Sequence, residues 1–290
     1  MARHPARVVL LACSLPVAAC GTSDPALPLA PDVGEEPAEA DPARGVRFVD
    51  IGASYAHTCA LDDAGAAWCW GFNGDGRLGD GTTADRTVPT PVAGGHTFVS
   101  LGVGDAHTCG LRADGVVLCW GANVRGQLGD GDAPPPGDFG PVVFDSLPQP
   151  VAGDHRFASL SVGLHHACAL EEDGSAYCWG ANEMGQLGDG TFVDRDVPTP
   201  VAGGHRFASL HAGGLTCGFR LDSTLLCWGR DPSDCACEAL PHRVAPGRAF
   251  TTVAVALHVC GLEADGRAFC WGENLSGQIG DVRVDGALAD

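Results

Sequence analysis

Histidines and cysteines recur in a fixed arrangement and are the side chains of this sequence best suited to chemistry. A histidine stands two positions before a cysteine four times, at His57, His107, His166 and His258. Imidazole and thiolate are common ligands of transition metals. Because the cysteines of successive copies lie 43 to 59 residues apart, one ion would have to gather ligands from distant segments. We therefore expect no metal site and no cofactor, and we assign these histidines a structural hydrogen bond within each repeat.

Ten of the fourteen cysteines form pairs with a constant separation of ten positions. This regularity predicts disulfides and hence an oxidising compartment. In the chain-entropy account, each short closed loop stabilises the fold by roughly 2–3 kcal/mol. The predicted bridges are Cys59–Cys69, Cys109–Cys119, Cys168–Cys178, Cys217–Cys227 and Cys260–Cys270.

The residues between paired cysteines predict a hairpin. If Cys59 faces Cys69, the loop is Asp63-Ala64-Gly65, and a three-residue loop ending in glycine is typical of a type I turn with a bulge. The other copies end their loops in glycine as well, except the fourth, which has Leu221-Asp222-Ser223.

A glycine-rich loop follows four of the five Cys-Trp-Gly segments, and the fourth unit lacks it. It resembles a phosphate-binding loop, but a following helix and a lysine are missing, and the whole sequence contains no lysine. The Asp-Gly pairs in these loops lack the dense oxygen ligands of a calcium loop, so we interpret them as turns. We expect four aliphatic side chains in the loops to plug the edges of the units: Leu78, Leu128, Leu187 and Ile279. No residue stands out as catalytic.

Cys235 and Cys237 flank one alanine in the fourth copy. A bridge across one residue would be strained, and two free thiolates would suit a soft metal. We favour a local Cys235–Cys237 disulfide.

The first 46 residues look like an export signal and a tether. Residues 1–19 combine basic residues, an apolar run and small residues, which is typical of a signal peptide. Val17-Ala18-Ala19-Cys20 resembles the lipobox of bacterial lipoproteins, so we predict lipidation at Cys20, with simple secretion as the alternative. Residues 20–46 are rich in proline, alanine and acids and predict a disordered linker. The protein would be extracytoplasmic, at the outer membrane or cell surface, with only a lipid anchor in the membrane.

The net charge of −19 limits the partners. Such a surface repels the phosphate backbone, and the arginines are scattered, so we expect no nucleic acid partner.

The repeat continues from residue 47 to the end. Its units lie near residues 47–94, 95–153, 154–203, 204–246 and 247–290 and read as four short strands each, the number in a propeller blade. The segments that begin Trp70-Gly71, Trp120-Gly121, Trp179-Gly180 and Trp271-Gly272 and continue to Gly-Gln/Arg-Leu/Ile-Gly-Asp resemble the repeat of the regulator of chromosome condensation family. The resemblance implies an all-β propeller, preceded here by the signal peptide and tether.

Only five units are present, whereas members of that family usually have seven. A closed five-bladed ring, an open arc completed by a second subunit and a truncated gene all fit this number, and we favour incomplete closure. An open arc would allow a homo-oligomer.

We expect a non-catalytic scaffold that binds a protein or other macromolecule through loops on one face. Irregular loops supply the binding candidates Phe139, Phe144 and Met184. The alternatives are an enzyme, such as a lyase or hydrolase acting on polysaccharide, and an inhibitor of a secreted enzyme.

Overall fold

The computed structural model describes residues 43–134, 143–230 and 237–280 of the chain. The regular elements in these ranges are nineteen β-strands, which form five antiparallel sheets. In each sheet the strands lie side by side in chain order. We call each sheet a blade.

The strands of the five blades have the following bounds. Blade 1 contains β1 (Phe48–Ala53), β2 (His57–Asp62), β3 (Ala67–Gly71) and β4 (Arg86–Pro91). Blade 2 contains β5 (Ser100–Val103), β6 (His107–Leu111), β7 (Val117–Ala122) and β8 (Phe144–Pro150). Blade 3 contains β9 (Phe157–Val162), β10 (His166–Glu171), β11 (Ala176–Gly180) and β12 (Arg195–Pro200). Blade 4 contains β13 (Phe207–Ala212), β14 (Thr216–Arg220), β15 (Leu225–Arg230) and β16 (Cys237–Arg243). Blade 5 contains β17 (Phe250–Val255), β18 (His258–Glu263) and β19 (Ala268–Gly272).

A disulfide crosses the central hairpin of every blade. Cys59 lies directly opposite Cys69, and their Cα atoms are 4.1 Å apart. The other four predicted pairs are bridged in the same way, with Cα atoms 4.0–4.1 Å apart. The predicted three-residue turns are also present, with Gly65 at φ +81°. In blade 4 Ser223 takes the same left-handed position at φ +64°.

Neighbouring blades share their apolar cores. Leu78 and Trp120, which belong to blades 1 and 2, are both fully buried and lie in one cluster with Cys59 and Cys69. Leu128 with Trp179 and Leu187 with Trp228 repeat this arrangement at the next two interfaces. We call these three leucines the plug leucines. They confirm the predicted plug role at three of the four positions; Ile279 is buried but belongs to none of the clusters of described residues.

Hydrogen bonds reinforce the same contacts. The backbone N–H of Gly81 donates to the carbonyl oxygen of Ser146 on the outer strand of the next blade, at 2.9 Å. Gly131 and Gly190 form the equivalent bonds with Asp196 and Ala239. Each loop is thus tied to both the core and the outer strand of its neighbour.

The two terminal blades have faces that no described residue covers in this way. Trp70 of blade 1 is only partly buried, whereas Trp120, Trp179 and Trp228 are fully buried. At the other end, no described residue lies within 4 Å of a Cβ placed on Gly280. Three strands of blade 5 lie in the described ranges; the remainder of its sequence, 281–290, lies outside them.

Gly129 and Gly280 provide a matched test of the interface. Both have a left-handed φ, at +70° and +74°, so Gly→Ala carries a similar backbone cost of about 1 kcal/mol at each. A Cβ on Gly129 would also lie 2.7 Å from the Trp179 ring. We expect Gly129→Ala to lower the free energy of unfolding by about 1–3 kcal/mol more than Gly280→Ala does. Denaturant unfolding measures this difference, and equal losses would contradict the assigned interface.

Candidate functional site

The loops of the blades lie at two opposite ends of the strands. The connection between the first two strands of a blade meets the start of the glycine-rich loop, as shown by the 2.9 Å hydrogen bond from Phe72 N–H to the carbonyl of Ala56. Ala122 with Ala106 and Ala181 with His165 repeat this bond. We call this end of the blades the loop face. The three-residue hairpin turns lie at the other end, which we call the turn face.

The loop face presents large apolar side chains to solvent. Tyr55 is 96% exposed, and Leu275 is 85% exposed. Further exposed apolar side chains among the described residues of this face include Phe72, Val124, Leu164, Phe192, Val193 and Leu257. They come from loops of four different blades, and the loops are brought to one end by the strand register. Exposed aromatic and aliphatic groups gathered in this way are typical of a surface that binds another molecule.

The turn face is mainly charged, although Leu221 in the hairpin turn of blade 4 is 69% exposed. Its hairpin turns carry exposed ion pairs: Arg47–Asp63, Arg112–Asp114, Arg206–Asp173, Arg220–Asp222 and Arg267–Asp265. Exposed pairs of this kind add little stability. The difference between the two ends makes the loop face the candidate site.

The glycine-rich loops hold the loop face in a fixed shape. The side-chain oxygen of Asn73 accepts the N–H of Leu78 at 3.0 Å, and its amide donates to Asp80 at 3.2 Å. Asn123 and Asn182 make the equivalent bonds. Burial alone would raise the pKa of Asp80, but hydrogen bonds from Thr82 and Arg86 outweigh it and lower the pKa. The Asp-Gly pairs therefore serve turn formation, and this aspartate stays ionised at neutral pH.

The repeated histidines also connect blades. The expected bond within a blade is present at His57, whose Nδ1 lies 3.3 Å from the hydroxyl of Ser54, and a further bond crosses to the next blade. Nε2 of His57 lies 2.9 Å from the hydroxyl of Thr108 in blade 2, and that hydroxyl donates to the carbonyl of Arg77. His166 and Thr216 repeat the pair at 2.8 Å between blades 3 and 4. These bonds run between blades because the threonine of each pair belongs to the following blade, where it stands directly before the first cysteine of the disulfide. No described residues form a group of three or more potential metal ligands.

His107 is the exception in this series. It is fully buried, and neither ring nitrogen has a hydrogen-bond partner in the described structure. At the position of the next blade that would face His107, blade 3 has Ala167, whereas the equivalent positions of blades 2 and 4 have Thr108 and Thr216. Burial lowers the pKa of His107 and of His166 from 6.5 to about 3, and the pKa of His57 to about 4. All three rings are therefore neutral at physiological pH.

Two of the three predicted binding residues lie in the described part of the chain. Phe144 is the first residue of β8 and is 38% exposed. Met184 contacts the neighbouring blade, with its sulfur 3.6 Å from the sulfur of Cys237. Phe139 lies outside the described residues, as do residues 1–42 with Cys20.

Cys237 lies at the start of β16 and is not bridged to another described cysteine; its sulfur is 3.6 Å from the sulfur of Met184 in blade 3. Cys235 lies outside the described residues, so the local Cys235–Cys237 disulfide stays a prediction.

Several loop-face residues were not selected by the sequence analysis. Tyr55 and Leu164 stand two positions before a repeated histidine, and Leu257 stands one position before His258. The signal in the sequence that could have identified them was an apolar residue just before the histidine, in a connection that is otherwise polar. In the described part of the chain, no helix is long and apolar enough to cross a membrane.

A hydroxyl placed opposite His107 would test the histidine assignments. Ala167→Thr would supply the missing partner, and we expect it to raise the free energy of unfolding by about 1 kcal/mol relative to Ala167→Val. The valine variant has nearly the same shape without the hydroxyl, as Val259 has in blade 5. Denaturant unfolding of both variants is the measurement. A threonine variant no more stable than the valine variant would refute the assignment.

The lowered histidine pKa values also predict a dependence of stability on pH. In the unfolded chain these rings are protonated below about pH 6.5. In the folded chain His57 is protonated only below about pH 4, and His107 and His166 only below about pH 3. Stability is thus complete above pH 6.5 and falls in acid, by about 1.4 kcal/mol per pH unit for each histidine. We expect His107→Leu, which copies Leu215 of blade 4, to reduce the slope between pH 6 and about pH 4.5. An unchanged slope, measured by unfolding at each pH, would disprove the prediction.

Comparison with known proteins gives the family. A model of the regulator of chromosome condensation (RCC1) repeat matches residues 64–111, 114–170 and 173–218, more than half of the chain. A second model of this repeat matches residues 48–77, 98–127, 157–186 and 253–278. The ultraviolet-B receptor UVR8 of Arabidopsis thaliana is 29% identical over 162 residues, which are 53% of this chain and 33% of the receptor.

Solved structures show the same fold. Human WBSCR16 superimposes with a TM-score of 0.70 at 20% identity, covering 83% of this chain and 65% of the human chain. Prp20p from Saccharomyces cerevisiae superimposes with a TM-score of 0.67 at 23% identity, covering 84% of this chain and 62% of the yeast chain. The chain thus spans about a third of its curated relative and under two thirds of these structures. With its repeated blades and its matches to the repeat models, the chain belongs to the regulator of chromosome condensation (RCC1) repeat family of β-propellers.

Proposed function

We propose that this protein is a non-catalytic extracytoplasmic scaffold that binds a protein through its loop face. The observation that carries the proposal is the contrast between its two ends. The loop face exposes Tyr55, Phe72, Leu164 and Leu257, whereas the hairpin turns of the turn face carry mainly charged pairs, with Leu221 exposed among them. Large apolar groups at the centre of a protein interface often supply most of the binding energy.

The family is consistent with this role. RCC1-type propellers are common protein-binding scaffolds, and the published structure of the yeast relative Prp20p concerns its binding to Gsp1p and histones. The similarity to Prp20p extends to the fold alone, so we do not assign the partners of Prp20p to this chain. A strongly acidic chain favours a partner with basic residues around an apolar centre.

The disulfides support the compartment. Five bridges in the described residues indicate an oxidising, extracytoplasmic location. We further propose that Cys20 carries a lipid and that residues 20–46 hold the propeller away from the membrane. Mass spectrometry of the mature protein would test the anchor, since an N-terminus other than acylated Cys20 would exclude it.

Site-specific cross-linking would test the binding face. A benzophenone amino acid at Tyr55 on the loop face should give a cross-linked protein adduct in cells. The matched control places the same group at Ala64, an exposed position on the turn face. Adducts from position 55 but not from position 64 are the expected result. Equal adducts, or adducts only from position 64, would contradict the proposal.

A further inference from the structure

A threonine hydroxyl bridges a histidine and a backbone carbonyl between blades 1 and 2. Nε2 of His57 lies 2.9 Å from the hydroxyl of Thr108, and this hydroxyl donates to the carbonyl oxygen of Arg77 at 3.1 Å. Because the single hydrogen of the hydroxyl goes to the carbonyl, the hydroxyl accepts from the histidine. Nε2 of His57 therefore carries the ring hydrogen.

The same bridge recurs between blades 3 and 4. Nε2 of His166 lies 2.8 Å from the hydroxyl of Thr216, which donates to the carbonyl oxygen of Gln186 at 2.8 Å. In both bridges the hydroxyl also lies near a disulfide sulfur, at 3.8 Å from Cys59 and 4.0 Å from Cys168. The repeat thus fixes the position of the bridging oxygen.

The interface between blades 2 and 3 has the histidine and the carbonyl of this bridge, but not the hydroxyl. His107 and Gln127 stand at the positions of the histidine and the carbonyl, and Ala167 replaces the threonine. Both ring nitrogens of His107 are buried and have no hydrogen-bond partner in the described structure. Gln127 is 1% exposed, and no hydrogen bond from a described residue reaches its carbonyl oxygen. Buried polar groups are rarely left without a partner in native proteins.

Blades 2 and 3 pack as closely as the neighbouring pairs of blades. A Cβ on Gly129 would lie 2.7 Å from Nε1 of Trp179, and the equivalent distance is 2.7 Å at the other two interfaces that have a plug leucine. The position of the bridging oxygen therefore lies between His107 and the carbonyl of Gln127 here as well. Ala167 lacks the hydroxyl and the methyl group of threonine, and a water oxygen has the size of a hydroxyl oxygen.

We propose that a buried water molecule binds between Nε2 of His107 and the carbonyl oxygen of Gln127, at the position that a threonine hydroxyl has in the other two bridges. The water accepts the N–H of His107 and donates to the carbonyl. Its second hydrogen points towards the sulfur of Cys109, a weak acceptor that corresponds to Cys59. Buried waters with two to four polar partners are a regular part of globular proteins. This site is independent of the proposed function.

A high-resolution crystal structure of the disulfide-bonded protein tests the site, with Ala167→Thr and Ala167→Val as matched variants. We expect a water oxygen about 2.7–3.2 Å from both Nε2 of His107 and the carbonyl oxygen of Gln127. In Ala167→Thr the new hydroxyl should take the place of the water, and in Ala167→Val neither oxygen should be present. A native protein without water at this point, or with His107 turned towards a protein acceptor, would overturn the proposal.

Solution NMR makes the test independent of crystals. With ¹⁵N-labelled histidine, His107 should carry its ring hydrogen on Nε2, as His57 and His166 do. That hydrogen should show a nuclear Overhauser contact with a long-lived water, and the contact should be lost in Ala167→Val. A ring hydrogen on Nδ1 of His107, or an Nε2 hydrogen without a contact to water, would overturn the proposal.

Discussion

The packing of a tryptophan from one blade against the glycine and leucine of the preceding loop is the contact on which the rest of the structure depends. A hairpin with one extra strand on each side cannot bury its apolar face by itself. In this chain every apolar cluster contains residues of two successive blades, so the interfaces are the core. Phe98 and Trp120, with ring centroids 5.9 Å apart, show how closely the aromatic rings pack there.

Disulfides and hydrogen bonds stabilise different parts of a blade. The disulfides fix the central hairpins, and the Asn73-type networks fix the glycine-rich loops. Because the scaffold is held in this way, single loops can vary without loss of the fold. The loop of blade 4 shows such a change, since it lost its plug while Trp228 and Trp271 stayed buried. The exposed apolar groups of the loop face follow from variation in the other connections.

The sequence was sufficient to predict the structure where the constraint lay within one hairpin. The ten-residue spacing of Cys59 and Cys69 and the glycine at position 65 determine the hairpin register, and the structure has that register. The sequence was insufficient to predict a contact between side chains of two different blades. Thr108 lies 51 positions from His57, and their contact depends on how the two blades pack. The contact between Cys237 and Met184 of blade 3, 53 positions apart in the chain, depends on the packing of blades in the same way.

The central claim is that one end of a rigid propeller binds a protein. Hydrogen–deuterium exchange on the purified complex with the partner cross-linked from Tyr55 tests this claim most directly. The account predicts slower exchange on binding in the loop-face connections around residues 54–56, 163–165 and 256–257, and unchanged exchange in the hairpin turns around residues 63–65 and 172–174. Protection concentrated in the hairpin turns would contradict it.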